Sequence, residues 1–217
     1  MQIDIPSSGR GLSAIVSSPA QHRATRHKRE AQRARANALL LLAADPRVQY
    51  RGIDHTVAAL AAGLAFERHD LTIIRLTTAQ RAITLVIAPK RLWHRSSSRN
   101  QLLLLRQQAR NVGVRMLLVP EAQLRRQPRL DNSVLVVGCA DTRVTLSQRF
   151  RVEIYVQACG GTATVGACAE MVAEHPDPVS VVLALVRAGR LQMRLDQTLT
   201  AESVVTSVPS GPTGGRN

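Results

Sequence analysis

The stretch "DLTIIRLTTAQRAITLVIAPK", residues 70–90, decides the fold. Leu71, Ile73 and Leu76 form a first apolar arm, and a polar turn follows. Ile83, Leu85, Val86 and Ile87 form a second arm that is apolar on both faces, as a central strand is. Pro89 has no backbone N–H to give to a ladder, so the second strand ends there and presents Lys90 at its mouth. A hairpin with Asp70 at its entrance and Lys90 at its exit sets a carboxylate beside an ammonium. Metal-dependent nucleases use that pairing around a single phosphate. The same two charges also suit the solvated ends of an ordinary hairpin.

Upstream, residues 24–44 follow a helical pattern, with Ala34, Ala38, Leu41 and Leu42 on one face and Arg26, Arg29 and Arg33 on another. Asp45-Pro46 closes that helix. "RVQYRGI" reads as a strand, while "TVAALAAGLAFERHD" is open between helix and strand. Downstream, Ser96 to Ser98 predict the cap of a helix that runs to Val112, with Gly113 as its C-terminal signal. Arg95, Arg99, Arg106 and Arg110 share one stripe of that helix, within about 60° at roughly 100° per residue. Leu102, Leu105, Ala109 and Val112 occupy the neighbouring face. Four arginines with no interleaved acid repel one another unless phosphate or carboxylate is supplied, so the stripe is either a track for a DNA backbone or a solvated face. "VRMLLV" returns as a strand, Pro120 starts a short helical segment, and "NSVLVV" reads as a strand or a strand–helix entry. These segments make a mixed α/β unit over residues 24–138.

Beyond Gly138 the pattern turns helical over 142–158, 164–174 and 178–188, and a hairpin follows in "RLQMRLDQTLTAESVVTSV". Three helices and a wing make a small winged-helix-like domain over residues 139–208. Its third helix, "PVSVVLALVRAG", is almost wholly apolar, which favours packing or protein contact over the reading of bases. Residues 1–23 and 209–217 are rich in Ser, Gly and Pro and are expected to be a disordered arm and tail.

The chain has 217 residues, 45% of them hydrophobic, enough to bury one ordinary core or to divide into a larger and a smaller unit. Its net charge of +14, from 29 basic against 15 acidic residues, favours a polyanionic partner, nucleic acid first. Lys28 and Lys90 are its only lysines, so part of the Arg richness can reflect base composition. Lys90 stands out for the same reason, because Lys, unlike Arg, can change its protonation state when partly buried. Aromatics at 2% disfavour a stacking platform for single strands, and backbone contact to duplex DNA fits better. Cys139, Cys159 and Cys168 form no C-x-x-C pair, which suits a reducing cytoplasm and buried free thiols. No bilayer-length apolar stretch or signal segment is visible, so the expectation is a soluble, cytoplasmic protein with no membrane partner.

The order "LLLLAADPRVQYRGI", "ERHDLTII", "ITLVIAPK", "LLLLRQQARNVGVRMLLVPEAQLRRQPRLDN" resembles the N-terminal domain of TnsA-type transposon endonucleases over residues 30–137. "VLALVRAGRLQMRLDQTLTAESVV" is similar to the winged-helix half of the same family. The resemblance implies a restriction-endonuclease-like fold of the PD-(D/E)xK kind, catalytic positions at Asp70 and Lys90, and a Mg or Mn ion at Asp70 if the site is active. It also implies partners in duplex DNA and in the transposase and AAA+ ATPase of one assembly. The match is incomplete. The family's first acid falls near Arg35, with Glu30 the nearest carboxylate. His69 replaces the usual Pro, and Ala88 stands where a Glu or Gln belongs. Arg and Ala offer no oxygen to a metal, so the resemblance implies an impaired nuclease site. Two rivals follow: an active nuclease in which Glu30 or Glu67 supplies the missing oxygen, and a non-enzymatic basic DNA-binding or scaffold protein.

Overall fold

The computed structural model describes the backbone of residues 19–208 and side chains from Thr25 onward. The expected arm at 1–23 falls outside this range except that helix α1, Pro19–Ala43, begins at Pro19 rather than at residue 24. The expected tail at 209–217 lies outside the described residues.

Four strands form a mixed sheet in the order β1 (Val48–Tyr50), β2 (Thr72–Thr78), β3 (Ala82–Ala88), β4 (Met116–Pro120). β1, β2 and β3 pair antiparallel, while β3 and β4 run parallel with Ala88 opposite Pro120. β3 is therefore central, as its two-sided apolar pattern requires. Its alternate residues feed two cores. Leu85 and Ile87 join Ile74, Leu76, Ala34 and Ala38 beneath α1, whereas Val86 and Ala88 join Val57, Leu102 and Leu105 on the other side. That second core is closed by α2 (His55–Gly63) and α4 (Ser96–Asn111). The open segment after residue 54 is thus helix. Asp54 caps α2 by accepting from the Val57 N–H at 3.2 Å, and its second oxygen accepts from Thr84 Oγ1 at 2.5 Å.

Three local expectations need correction. Ser96 is the first residue of α4, not its cap: the short helix α3 (Lys90–His94) runs up to Arg95, which occupies the cap position without a side-chain bond. Val112 is 54% exposed and leaves the buried face that Leu102, Leu105 and Ala109 share. "NSVLVV" is not a strand. After α5 (Glu121–Leu124) it lies in α6 (Arg129–Gly138), where Asn132, Ser133 and Val136 are buried at helical spacing while Val134 and Leu135 face outward.

The C-terminal unit contains α7 (Leu146–Ala158), β5 (Thr162–Thr164), α8 (Val165–Glu170), α9 (Pro178–Arg187), β6 (Leu191–Met193) and β7 (Val204–Ser207). α7 starts four residues later than expected, because Thr145 caps it in a reciprocal capping box with Gln148 and the chain is extended at Thr142 and Thr145 after the 3-10 turn at Cys139–Asp141. α8 is shorter than its pattern implied. β5 was not foreseen: it is three residues long and pairs with β7 in a sheet ordered β5-β7-β6. Val152, Val156, Val165, Val182 and Val205 fill the core of this unit. Cys139 and Cys168 are buried thiols as expected, but Cys159, at the end of α7, is exposed.

A small apolar joint of Ala44, Val136, Cys139 and Leu183 connects the two units. The Asn132 amide reinforces it, donating to the Leu195 carbonyl at 2.9 Å and to that of Gln197 at 2.5 Å. Gly189 sits at φ +70, where a Cβ would come within 3.1 Å of Pro46. Among the described residues no helix is long and apolar enough to cross a membrane.

Candidate functional site

The ends of β2 and β3 open onto a cleft of about 850 Å³ between α1 and the α3–α4 junction. Asp70 and Lys90 both line it, so the structure brings the two expected positions to one site. Asp70 belongs to the turn before β2. Its Oδ2 accepts from the Glu67 N–H at 2.9 Å, while its own N–H donates back to the Glu67 carbonyl at 2.9 Å. Lys90 is the first residue of α3, where Pro89 stops the strand and supplies an extended cap, and it is exposed.

Arg91, which no sequence motif marks, is the residue that pairs with Asp70 in this cleft. Its Nη2 donates to Asp70 Oδ1 at 2.7 Å, and the side chains of the pair are only 23% and 17% exposed. Its Nε approaches His27 Nε2 at 3.4 Å. A charge-assisted bond at such partly shielded positions is less screened by solvent than a surface pair. The second unforeseen residue is Glu121. The parallel register that sets Ala88 against Pro120 carries Glu121 to the end of β4, where it lines the cleft, is 7% exposed and pairs with Arg125. Neither residue has a signature in the linear sequence, because both gain their position from the β3–β4 pairing and the turn at Pro89.

Arg35, expected near Asp70, is elsewhere: its Nη2 donates to the Tyr50 hydroxyl at 2.7 Å, and it does not line the cleft. Glu30, five residues earlier on α1, lines the cleft instead and pairs with Arg26 at 3.0 Å. Ala88 has no exposed surface and packs among Val86, Leu92 and Leu102, with its carbonyl accepting from Trp93 Nε1 at 3.2 Å. Position 88 therefore faces a core rather than the cleft.

Of the expected DNA-binding residues, Arg26 and Arg95 line the cleft, while Arg29 and Arg33 are exposed on α1 beyond it. Arg99, Arg106 and Arg110 are exposed along α4, on the face next to its buried Leu102, Leu105 and Ala109, and lead away from Arg95.

His27, Glu67 and Asp70 each bring one donor atom to within 4.8 Å of the others. As arranged, these residues do not fit the Mg or Mn ion that the resemblance implies. One Asp70 oxygen is held by the Arg91 guanidinium and the other by a backbone N–H, and a fixed positive charge already stands where the ion's charge would be. Three of the four carboxylates lining the cleft, Glu30, Asp70 and Glu121, are neutralised by Arg26, Arg91 and Arg125. Lys90 and Arg95 remain at the mouth with no ion-pair partner among the described residues.

No protein-family model, curated protein or solved structure matches the chain.

Proposed function

We propose that this chain is a TnsA-like, DNA-binding subunit of a transposition or integration assembly. In this reading the mixed sheet is a restriction-endonuclease-like domain, and the C-terminal unit, with its three helices and β5-β7-β6 sheet, is a winged helix. Duplex DNA, and the transposase and AAA+ ATPase of the assembly, are its partners. One observation carries the reading: three of the four carboxylates lining the cleft are held in ion pairs, while Lys90 and Arg95 are left free to meet phosphate. The cleft then grips the duplex backbone without cutting it.

Duplex binding and plasmid nicking by the full chain test this reading, with magnesium or manganese and with the partner transposase present. Lys90→Ala with Arg95→Ala should weaken binding of all duplex sequences alike, and no metal-dependent nicking should appear. Unchanged binding would remove the cleft from the interface.

A second reading, an active metal-dependent endonuclease, is favoured by one arrangement. His27, Glu67 and Asp70 each bring a donor atom within 4.8 Å of the others, and Glu67 has no ion-pair partner among the described residues, so a carboxylate is available to a metal once Arg91 releases Asp70. Nicking that requires manganese or magnesium and disappears in Asp70→Ala would establish this second reading in place of the first.

A further inference from the structure

The outer face of α7 carries a row of large apolar side chains in contact with nothing that hides them. Leu146, Phe150 and Ile154, spaced four apart and so on one helix face, are 69%, 51% and 65% exposed. The other face of α7 is fully used, with Val152 and Val156 in the core. The row forms one wall of a groove made of two adjoining cavities of about 470 and 380 Å³, which share Arg149 and Arg190. The end of α9 and the stretch around Ser207 and Val208 form the opposite wall.

The rim of this groove is basic. Arg149, Arg187 and Arg190 line it against a single carboxylate, Glu153, which Arg149 already holds at 2.8 Å. That is half of the arginines of the unit, since residues 139–208 contain six arginines against seven carboxylates. Arg187 lines the groove half-buried, and no carboxylate among the described residues pairs with it.

From this charge and shape we infer that the α7 groove is a docking site for an acidic amphipathic helix of another protein. Apolar residues at i and i+4 of that helix lie along Leu146, Phe150 and Ile154, and its flanking carboxylates meet Arg187 and Arg190. DNA is a poor occupant, because an exposed row of Leu, Phe and Ile gains nothing from phosphate. A second copy of this chain is a poorer match too: an α7 face packed on itself would set Arg187 and Arg190 of both copies along one groove and add no carboxylate except Glu153, which Arg149 already holds. This surface stands independently of the nuclease-fold reading.

A displayed library of helical peptides, about four turns long, can be selected against the full chain and the winners measured by fluorescence anisotropy. Peptides with large apolar residues at i and i+4 flanked by Asp and Glu should be enriched. Phe150→Ser or Ile154→Ser should weaken them at least about tenfold, as expected for an aromatic or aliphatic anchor. Arg190→Glu should do the same, and Arg99→Glu, on α4, should not. Because Phe150 and Ile154 are exposed, both serine variants should melt as the parent does. Selection of basic or neutral peptides, or of peptides indifferent to Phe150→Ser and Arg190→Glu, would overturn the proposal. So would a substantial loss of stability in both serine variants, or a sedimentation dimer that Phe150→Ser converts to a monomer.

Discussion

The two units of the chain are built on opposite electrostatic terms. Residues 1–138 hold 22 of the basic residues against eight acids, whereas residues 139–208 hold six arginines against seven acids. The net charge of +14 is therefore a property of the first unit alone. The second unit is close to neutral and exposes an apolar helix row instead. Their interiors differ in the same sense. In the first unit a central strand divides the core into two layers and ends at a polar cleft, and in the second a single valine-rich core leaves α7 half uncovered. The excess of positive charge thus lies in one unit and the exposed apolar helix row in the other, so the two offer surfaces of different physical kinds.

The comparison is first tested at the joint. Leu183 is 4% exposed and packs against Ala44, Val136 and Cys139, so it belongs to both units at once. Leu183→Ala should cost about 2–4 kcal/mol, the range for a large-to-small change in a core with limited room to collapse. Calorimetry should show more than lost stability: a single unfolding transition should broaden or split into two. A variant that loses stability yet keeps one sharp transition would show that the units are coupled by something other than this apolar joint, with the Asn132 bonds to Leu195 and Gln197 the next to examine.

A smaller effect separates the units by charge. Arg99 and Arg106 are exposed on α4, while Arg143 and Arg194 are exposed on the second unit. If α4 follows a duplex, Arg99→Ala with Arg106→Ala should lower the slope of log affinity against log salt by about 0.9 per lost phosphate contact. Arg143→Ala with Arg194→Ala should leave that slope unchanged. Equal effects from both pairs would mean that DNA runs across both units and that the division of labour is wrong.

The sequence made the sheet legible because its signals there are local. Alternating apolar residues, a polar turn and Pro89 define β2 and β3 without reference to the rest of the chain, and the α4 arginine stripe follows from helical spacing. The cleft was half legible. Asp70 and Lys90 flank the hairpin and could be read from it, but Arg91 and Glu121 become site residues only through the Pro89 turn and the β3–β4 register. Arg35 was expected at the cleft because the family's first acid falls near it. Glu30, not Arg35, turned out to line it, since the rotation of α1 is set by Ala34 and Ala38 packing on the sheet. Position 88 could not have been judged from the sequence either: whether it meets the cleft or the core depends on which side α4 packs. "NSVLVV" was misread because a short apolar run has no period of its own, and only the packing of Asn132 and Val136 makes it a helix.

The smallest effect concerns pH and belongs to the second unit alone. Cys168 is fully buried in the core of that unit, and burial, helped by the nearby Cys159, pushes its thiol up from 9.0 to about 11. In the unfolded chain the thiol ionises near its ordinary value, whereas in the folded unit it stays protonated until higher pH. The unfolded state therefore gains free energy from ionisation first, and folded stability should fall as pH rises from about 9 towards 11, by about 1.4 kcal/mol per unit at most. Below pH 9 no change from this group is expected. Tyr155, pushed up by its hydrogen bond with Cys159, adds to the same trend at the upper end of the window. Cys168→Ala should remove the Cys168 share and flatten the profile of unfolding free energy between pH 9 and 11, after subtraction of its constant packing cost. The first unit provides the internal control, because its cations are almost all arginines that keep their charge throughout this range. If the profile of Cys168→Ala runs parallel to that of the parent chain, the alkaline loss does not come from this thiol. The second unit would then owe nothing of its pH response to the valine core around Cys168.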